Sequence, residues 1–129
     1  LPELRDNLLG LARFASTVDW ANFAPRNINS EININQSNII SVGCSDGEQA
    51  LIWLLVDSRD ESPPSLPGTT VSLEKVLADG NYTVEFWETY AGNLLEQVET
   101  EVRDGLSSIT IPEGAADLRD LALIIRRSE

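Results

Sequence analysis

The sequence predicts a mainly β protein, a two-layer antiparallel β-sandwich preceded by one N-terminal helix. Beyond Arg26, apolar residues alternate with polar ones at the period of two that strands show. These alternating segments are short and are bounded by Gly, Asp, Asn or Pro. The chain has 129 residues, of which 42% are hydrophobic, so it is long enough for one domain with one core. About eight strands are predicted, which is the usual range of a sandwich.

The first element is a predicted amphipathic helix in residues 2–15. Pro2 suits its first turn, and apolar side chains recur at helical spacing at Leu4, Leu8, Leu11 and Ala15. An apolar stripe left in water is costly, so we expect it to pack onto the sandwich or onto another copy of the chain. The predicted division is residues 1–26 as helix and linker and residues 27–129 as the sandwich domain.

The strands that follow differ in their patterns. Ile28, Ile32 and Ile34 alternate with polar residues, and residues 48–57 are apolar on both faces, which indicates a central, covered strand. Residues 94–103 have one apolar and one charged face, which is typical of a strand near an edge. Turns or loops are predicted at residues 45–47 and in the Pro-rich segment 58–68. The other strands are predicted at residues 38–44, 69–77, 81–89, 107–111 and 121–127.

The charge of the chain argues against two classes of partner. Its net charge is -12 and its pI is near 4.2, whereas nucleic acids and anionic membranes require clustered Lys and Arg. No apolar run approaches the ~20 residues that cross a bilayer. We therefore expect no nucleic-acid partner and no membrane partner.

The usual catalytic and metal-binding residues are scarce. The sequence has no His, which removes the commonest general base and metal ligand. Cys44 is the only cysteine, so neither an intrachain disulfide nor a Cys/His zinc site can form, and we expect its thiol to be buried. Carboxylates at 57, 60 and 61 and at 96, 99 and 101 are expected to be solvated charges, although a calcium site assembled from distant loops stays open. We predict no catalytic residue, no metal and no cofactor.

One segment resembles a known family. Residues 81–93 read NYTVEFWETYAGN, a strand with paired aromatics followed by a Gly-containing turn. This resembles the carboxyl-terminal β-sandwich domains attached to TIM-barrel glycoside hydrolases, including a family labelled as collagen-binding-domain-like. Residues 109–112 and 120–125 look like the closing strands of that family. Residues 4–26 look like the last helix of such a barrel and its exit.

The resemblance implies an immunoglobulin-like or glycosidase C-terminal type of sandwich. It implies that the catalytic carboxylates lie upstream in a barrel domain of the same parent chain, which would be the partner of this domain. On this view the chain is a non-catalytic accessory domain that braces the barrel of a secreted protein, extracellular or periplasmic. The segments 43–47 and 58–68 depart from the family's pattern.

The alternative is a carbohydrate-binding module that recognises a polysaccharide through exposed aromatics. Its candidate ligand-binding residues are Tyr82, Trp87 and Tyr90, because an aromatic face complements the C–H face of a sugar ring. Trp87 is expected on the face of the strand opposite to that of Tyr82, where it could equally contact a barrel domain. Trp53 is expected in the core, and Trp20 at the helix exit. A third hypothesis, protein adhesion of the collagen-binding type, depends only on the family label.

Overall fold

The computed structural model describes residues 26–36, 39–56, 66–88, 92–115 and 120–128. The predicted N-terminal helix and most of the Pro-rich segment lie outside these ranges. Short 3-10 turns occur at Asn29–Glu31 and Glu113–Ala115. The strands are β1 (Arg26–Asn27), β2 (Ile32–Ile34), β3 (Ile39–Ser45), β4 (Gln49–Val56), β5 (Thr70–Glu74), β6 (Gly80–Glu88), β7 (Asn93–Val102), β8 (Leu106–Thr110) and β9 (Asp120–Arg127).

The strands form two antiparallel sheets. The larger has six strands in the order β1-β3-β4-β9-β6-β7, and the smaller has three in the order β2-β5-β8. The predicted mainly β, sandwich-like fold is therefore confirmed. So is the central position of β4 and the edge position of β7, whose inward Val102 is buried while its Glu99 and Glu101 are exposed.

The core lies between the two sheets. On β4, buried and partly buried residues alternate along the whole strand, as expected for a pleated strand with one side toward the core. The smaller sheet contributes Val71, Leu73 and Ile109. The larger sheet contributes the inward side chains Ala50, Ile52, Leu54, Tyr82, Val84, Phe86, Leu121, Leu123 and Ile125.

The predicted turn at residues 45–47 joins β3 to β4. Asp46 Oδ1 accepts hydrogen bonds from the backbone N–H groups of Glu48 (2.9 Å) and Gln49 (2.8 Å). Gly47 has a φ of 94°, in the left-handed region that glycine enters without steric cost. The turn signal in the sequence thus has a direct structural cause.

The segment from Ile28 to Ile34 does not form one continuous alternating strand. Asn27 Oδ1 accepts a hydrogen bond from the Asn29 N–H (2.8 Å), and a 3-10 turn follows before β2 begins. Such local side-chain bonds compete with strand pairing. The chain passes here from the larger sheet to the smaller one, and Ile28 is fully buried between them.

We expect the substitution Leu54→Ala to lower the free energy of unfolding by about 2–5 kcal/mol, because it opens a cavity in a fully buried site. Leu106→Ala makes the same chemical change at a side chain that is 55% exposed, and it should stay within about 0.5 kcal/mol of the parent chain. Urea denaturation of both variants tests the placement of the core. Equal effects would contradict it.

Candidate functional site

The side of the larger sheet that faces away from the core is itself apolar. Because paired residues of antiparallel strands project to the same side, the register defines this surface. One row crosses four strands, from Val42 through Trp53 and Ala122 to Trp87. We call the surface the outer apolar face; it comprises Ile40, Val42, Cys44, Leu51, Trp53, Leu55, Trp87, Leu94, Ala122 and Ile124.

The exposure of this face is uneven. In its middle, on β9, Ala122 is fully buried and Ile124 is only 1% exposed. At its two margins, Ile40 on β3 is 50% exposed and Leu94 on β7 is 46% exposed. The centre of the face is therefore excluded from water, whereas its rims are not.

Trp87 lies on the outer apolar face, on the side of β6 that the alternation predicts. It is partly buried against Ala122 and Ile124, and its Nε1 donates a hydrogen bond to Glu85 Oε1 (3.2 Å). A register shift between Phe86 and Trp87 marks a β-bulge, after which Trp87 pairs with Leu94. The neighbours of Trp87 across the strands include large apolar side chains, which the sequence of its own strand does not reveal.

The structure does not bring the predicted ligand-binding residues together. Tyr82 is fully buried in the core, on the opposite side of β6 from Trp87. Its hydroxyl donates a hydrogen bond to the Ala78 carbonyl oxygen (2.5 Å). Tyr90 lies outside the described residues, as does Trp20. A ligand-binding role for any of them stays a prediction.

Trp53 lies on the outer apolar face instead of in the core between the sheets. The alternation along β4 turns Ile52 and Leu54 inward and therefore turns Trp53 outward. Its Nε1 is buried and has no hydrogen-bond partner within the described residues. A buried indole N–H without a partner is uncommon, and it indicates that this edge of the indole ring is closed to water.

Cys44 is half-buried on the same face and packs against the Ala122–Ile124 pair. Burial raises the pKa of its thiol, and the negative charge of Asp46 raises it further. A shallow hollow of about 290 Å³ beside it is lined mainly by Asn27, Asn29, Val42, Leu51 and Trp53. A thiol with a raised pKa and no base beside it among these residues is a poor nucleophile.

A polar cluster lies at the β3–β4 end of the sheet. Arg127 Nε donates a hydrogen bond to Glu48 Oε2 (2.5 Å), which raises the pKa of the guanidinium, and its Cζ lies 5.0 Å from the centroid of the Tyr82 ring. Asp79 accepts hydrogen bonds from the N–H groups of Asp104 (3.0 Å) and Gly105 (2.9 Å). A hollow of about 440 Å³ beside the cluster is lined by residues 45–48 and 75–78. These polar groups hold turns and strands together.

The carboxylates of β7 are exposed, as expected for solvated charges. Glu99 accepts hydrogen bonds from the hydroxyls of Thr83 (3.0 Å) and Ser128 (2.6 Å). Within the described ranges no three Cys, Asp or Glu residues converge as metal ligands, and no helix has the length and apolar content that a bilayer crossing requires. The predicted cluster at residues 57, 60 and 61 lies outside those ranges.

We expect the stability of the fold to decrease above pH ~10, the ordinary pKa of tyrosine. Burial raises the pKa of the Tyr82 phenol, so the unfolded chain releases this proton at a lower pH than the folded chain does. The stabilising effect is complete below the unfolded pKa and is lost as the pH rises toward the folded one. Urea titrations between pH 8 and 11 should show this decrease in the parent chain and in Tyr90→Phe, but not in Tyr82→Phe. A decrease of the same size in Tyr82→Phe would contradict the assignment.

We expect Cys44 to be alkylated with an apparent pKa above that of free cysteine. Asp46→Asn should lower this pKa, because it removes a negative charge while it keeps the Oδ1 acceptor of the turn. Asp104→Asn is the matched control, since it removes a charge at another turn. Iodoacetamide rates measured against pH test the cause, and identical profiles for the parent chain and Asp46→Asn would exclude it.

Comparison with known proteins gives little. No family model matches the chain, and no curated protein sequence matches it. A solved structure described as a glycoside hydrolase aligns with a TM-score of 0.46 and 14% sequence identity, over 77% of this chain and 22% of that one. This chain thus spans less than a quarter of the length of that protein, and at this level of similarity we draw no conclusion from the alignment.

Proposed function

We propose that this chain is a non-catalytic accessory domain that braces the catalytic barrel of a secreted glycoside-hydrolase-like protein. The observation that carries the proposal is the outer apolar face, which lies on the far side of the larger sheet from a core that is already packed. Contiguous apolar surface of this kind marks contact with another protein element. A contact role fits it better than turnover does.

The chemistry of the described residues supports the same role. The sequence contains no His, and the carboxylates of Glu48 and Glu99 accept hydrogen bonds from neighbouring side chains. Cys44 has a raised pKa. Asp46 and Glu48 line the hollow of about 440 Å³. Asp46 accepts hydrogen bonds from the backbone of its own turn and Glu48 accepts one from Arg127, so both carboxylates have structural partners.

The link to a glycoside hydrolase depends on the resemblance of residues 81–93. In that segment Phe86 packs into the core while Trp87 lies on the outer apolar face. The paired aromatics thus serve both sides of the sheet. Because Trp87 is partly buried against Ala122 and Ile124, contact with protein explains it better than an open sugar platform does.

The first test is an assay of the 129-residue chain against a panel of nitrophenyl glycosides. We expect no hydrolysis above the buffer rate. Hydrolytic activity that copurifies with the chain and is lost when the chain is denatured would refute the proposal.

The second test uses the parent protein, in which the reading frame upstream of Leu1 should encode a barrel. We expect Ile40→Lys, at the exposed rim of the outer apolar face, to lower the Tm of the parent protein more than that of the 129-residue chain. Leu106→Lys changes an equally exposed leucine on the smaller sheet and should affect neither. Equal shifts in parent and isolated chain, or a reading frame without a barrel, would overturn the bracing role.

A further inference from the structure

The middle of the outer apolar face has the burial of a covered surface. Ile124 is flanked across the strands by Leu51 on one side and Glu85 on the other. Neighbours of similar height in one sheet leave the tip of a side chain accessible, yet Ile124 is 1% exposed. The buried, unpartnered Nε1 of Trp53 lies in the same area. Cys44, Leu51, Trp53 and Trp87, which belong to the same face, pack against Ala122 and Ile124. An apolar segment above the sheet would complete the cover of these side chains.

The covered area is narrow. Ala122 and Ile124 on β9 are buried, whereas Ile40 on β3 and Leu94 on β7 are about half exposed. A single helix, about 10 Å in diameter with its side chains, covers the central strands and leaves the rims open.

The chain itself supplies such an element in the right place. β1 begins at Arg26 and pairs with β3, with Asn27 opposite Cys44, so the start of β1 lies at the margin of the outer apolar face. The predicted helix of residues 2–15 would be ~21 Å long. The four strands from β3 to β6 are ~14 Å across at a spacing of ~4.8 Å. Residues 16–25 can extend up to ~33 Å, which is ample to connect the two.

We infer that residues 1–25 dock on the outer apolar face, with the stripe of Leu4, Leu8 and Leu11 over Ala122 and Ile124. Docking would shield the outer apolar face and the apolar stripe of the predicted helix from water at the same time. This inference rests on the contact role proposed above for the outer apolar face. It does not require that the parent be a glycoside hydrolase.

Cys44 provides a native probe, because it is the only cysteine and lies on this face. In the 129-residue chain we expect Leu8→Asp to increase the alkylation rate of Cys44 by ~5-fold or more, since a buried charge opposes docking. Gly10→Asp is the matched control. It adds the same side chain two residues further on, ~200° around the predicted helix, and should leave the rate near that of the parent chain.

Three results would overturn the inference. The first is an unchanged rate in Leu8→Asp while circular dichroism shows an intact β fold. The second is an equal increase in Leu8→Asp and Gly10→Asp. The third is an alkylation rate of Cys44 that rises when the unsubstituted 129-residue chain is diluted. Such a rise would mean that a second copy of the chain covers the face. None of these results depends on the parent barrel, so the bracing role is judged separately by its own two tests.

A crosslink provides a readout that survives if Leu8→Asp fails to fold. Leu4→Cys, Leu8→Cys and Leu11→Cys each place a second thiol on the apolar stripe, and Gly10→Cys places one on the opposite side. With a short bismaleimide we expect intramolecular crosslinks to Cys44 from the stripe positions in monomeric protein, in higher yield than from Gly10→Cys. Equal yields from all four positions, or none, would contradict docking of this segment in this orientation.

Discussion

Strand β9 lies between β4 and β6 and has apolar side chains on both of its faces. Leu121, Leu123 and Ile125 meet the smaller sheet, while Ala122 and Ile124 face the other way. A strand of this kind is stable only if both faces are shielded from water, since each exposed large apolar side chain forgoes ~1.5–3 kcal/mol of burial. The sandwich shields one face, and the architecture of the rest of the larger sheet follows from the need to shield the other.

Much of the local structure could be predicted from the sequence. The bounds of β3, β4, β6, β7 and β9 lie within one or two residues of the predicted ones, because period-two alternation and Gly or Asp at the turns act over short distances. The side of β6 on which Trp87 lies follows from the same alternation. The crossing of the chain from the larger to the smaller sheet at Ile28 could not be predicted, because the apolar spacing there resembles that of a strand. The hydrogen bond from the Asn29 N–H to the Asn27 side chain accompanies this change of direction.

The candidate site could be predicted only in part. Trp87 was identified from its own strand, but the flanking Trp53 and Ala122 reach it through pairings between β4, β9 and β6, which are distant in sequence. Strand order of this kind is not encoded in local periodicity. Trp53 is expected in the core because β4 is apolar throughout. In the structure one side of β4 faces the core between the sheets and the other side faces the outer apolar face, where Trp53 lies. Tyr82, a candidate ligand-binding residue of the carbohydrate-binding hypothesis, alternates with Val84 and Phe86 on β6 and is buried with them in the core.

The bulge between Phe86 and Trp87 governs how this hairpin can change over evolutionary time. One extra residue in β7 lets Leu95 pack toward the core while Leu94 stays beside Trp87 on the other side of the sheet. Deletion of Leu95 would remove the bulge and leave Glu96 opposite Phe86 and Leu94 opposite Trp87. Deletion of a single residue elsewhere in β6 or β7 would reverse the facing of every side chain on one side of the deletion. Point substitutions are far gentler. Homologous sequences should therefore tolerate a one-residue gap at position 95, whereas a one-residue gap elsewhere in β6 or β7 would be a sign of misalignment or of a different fold.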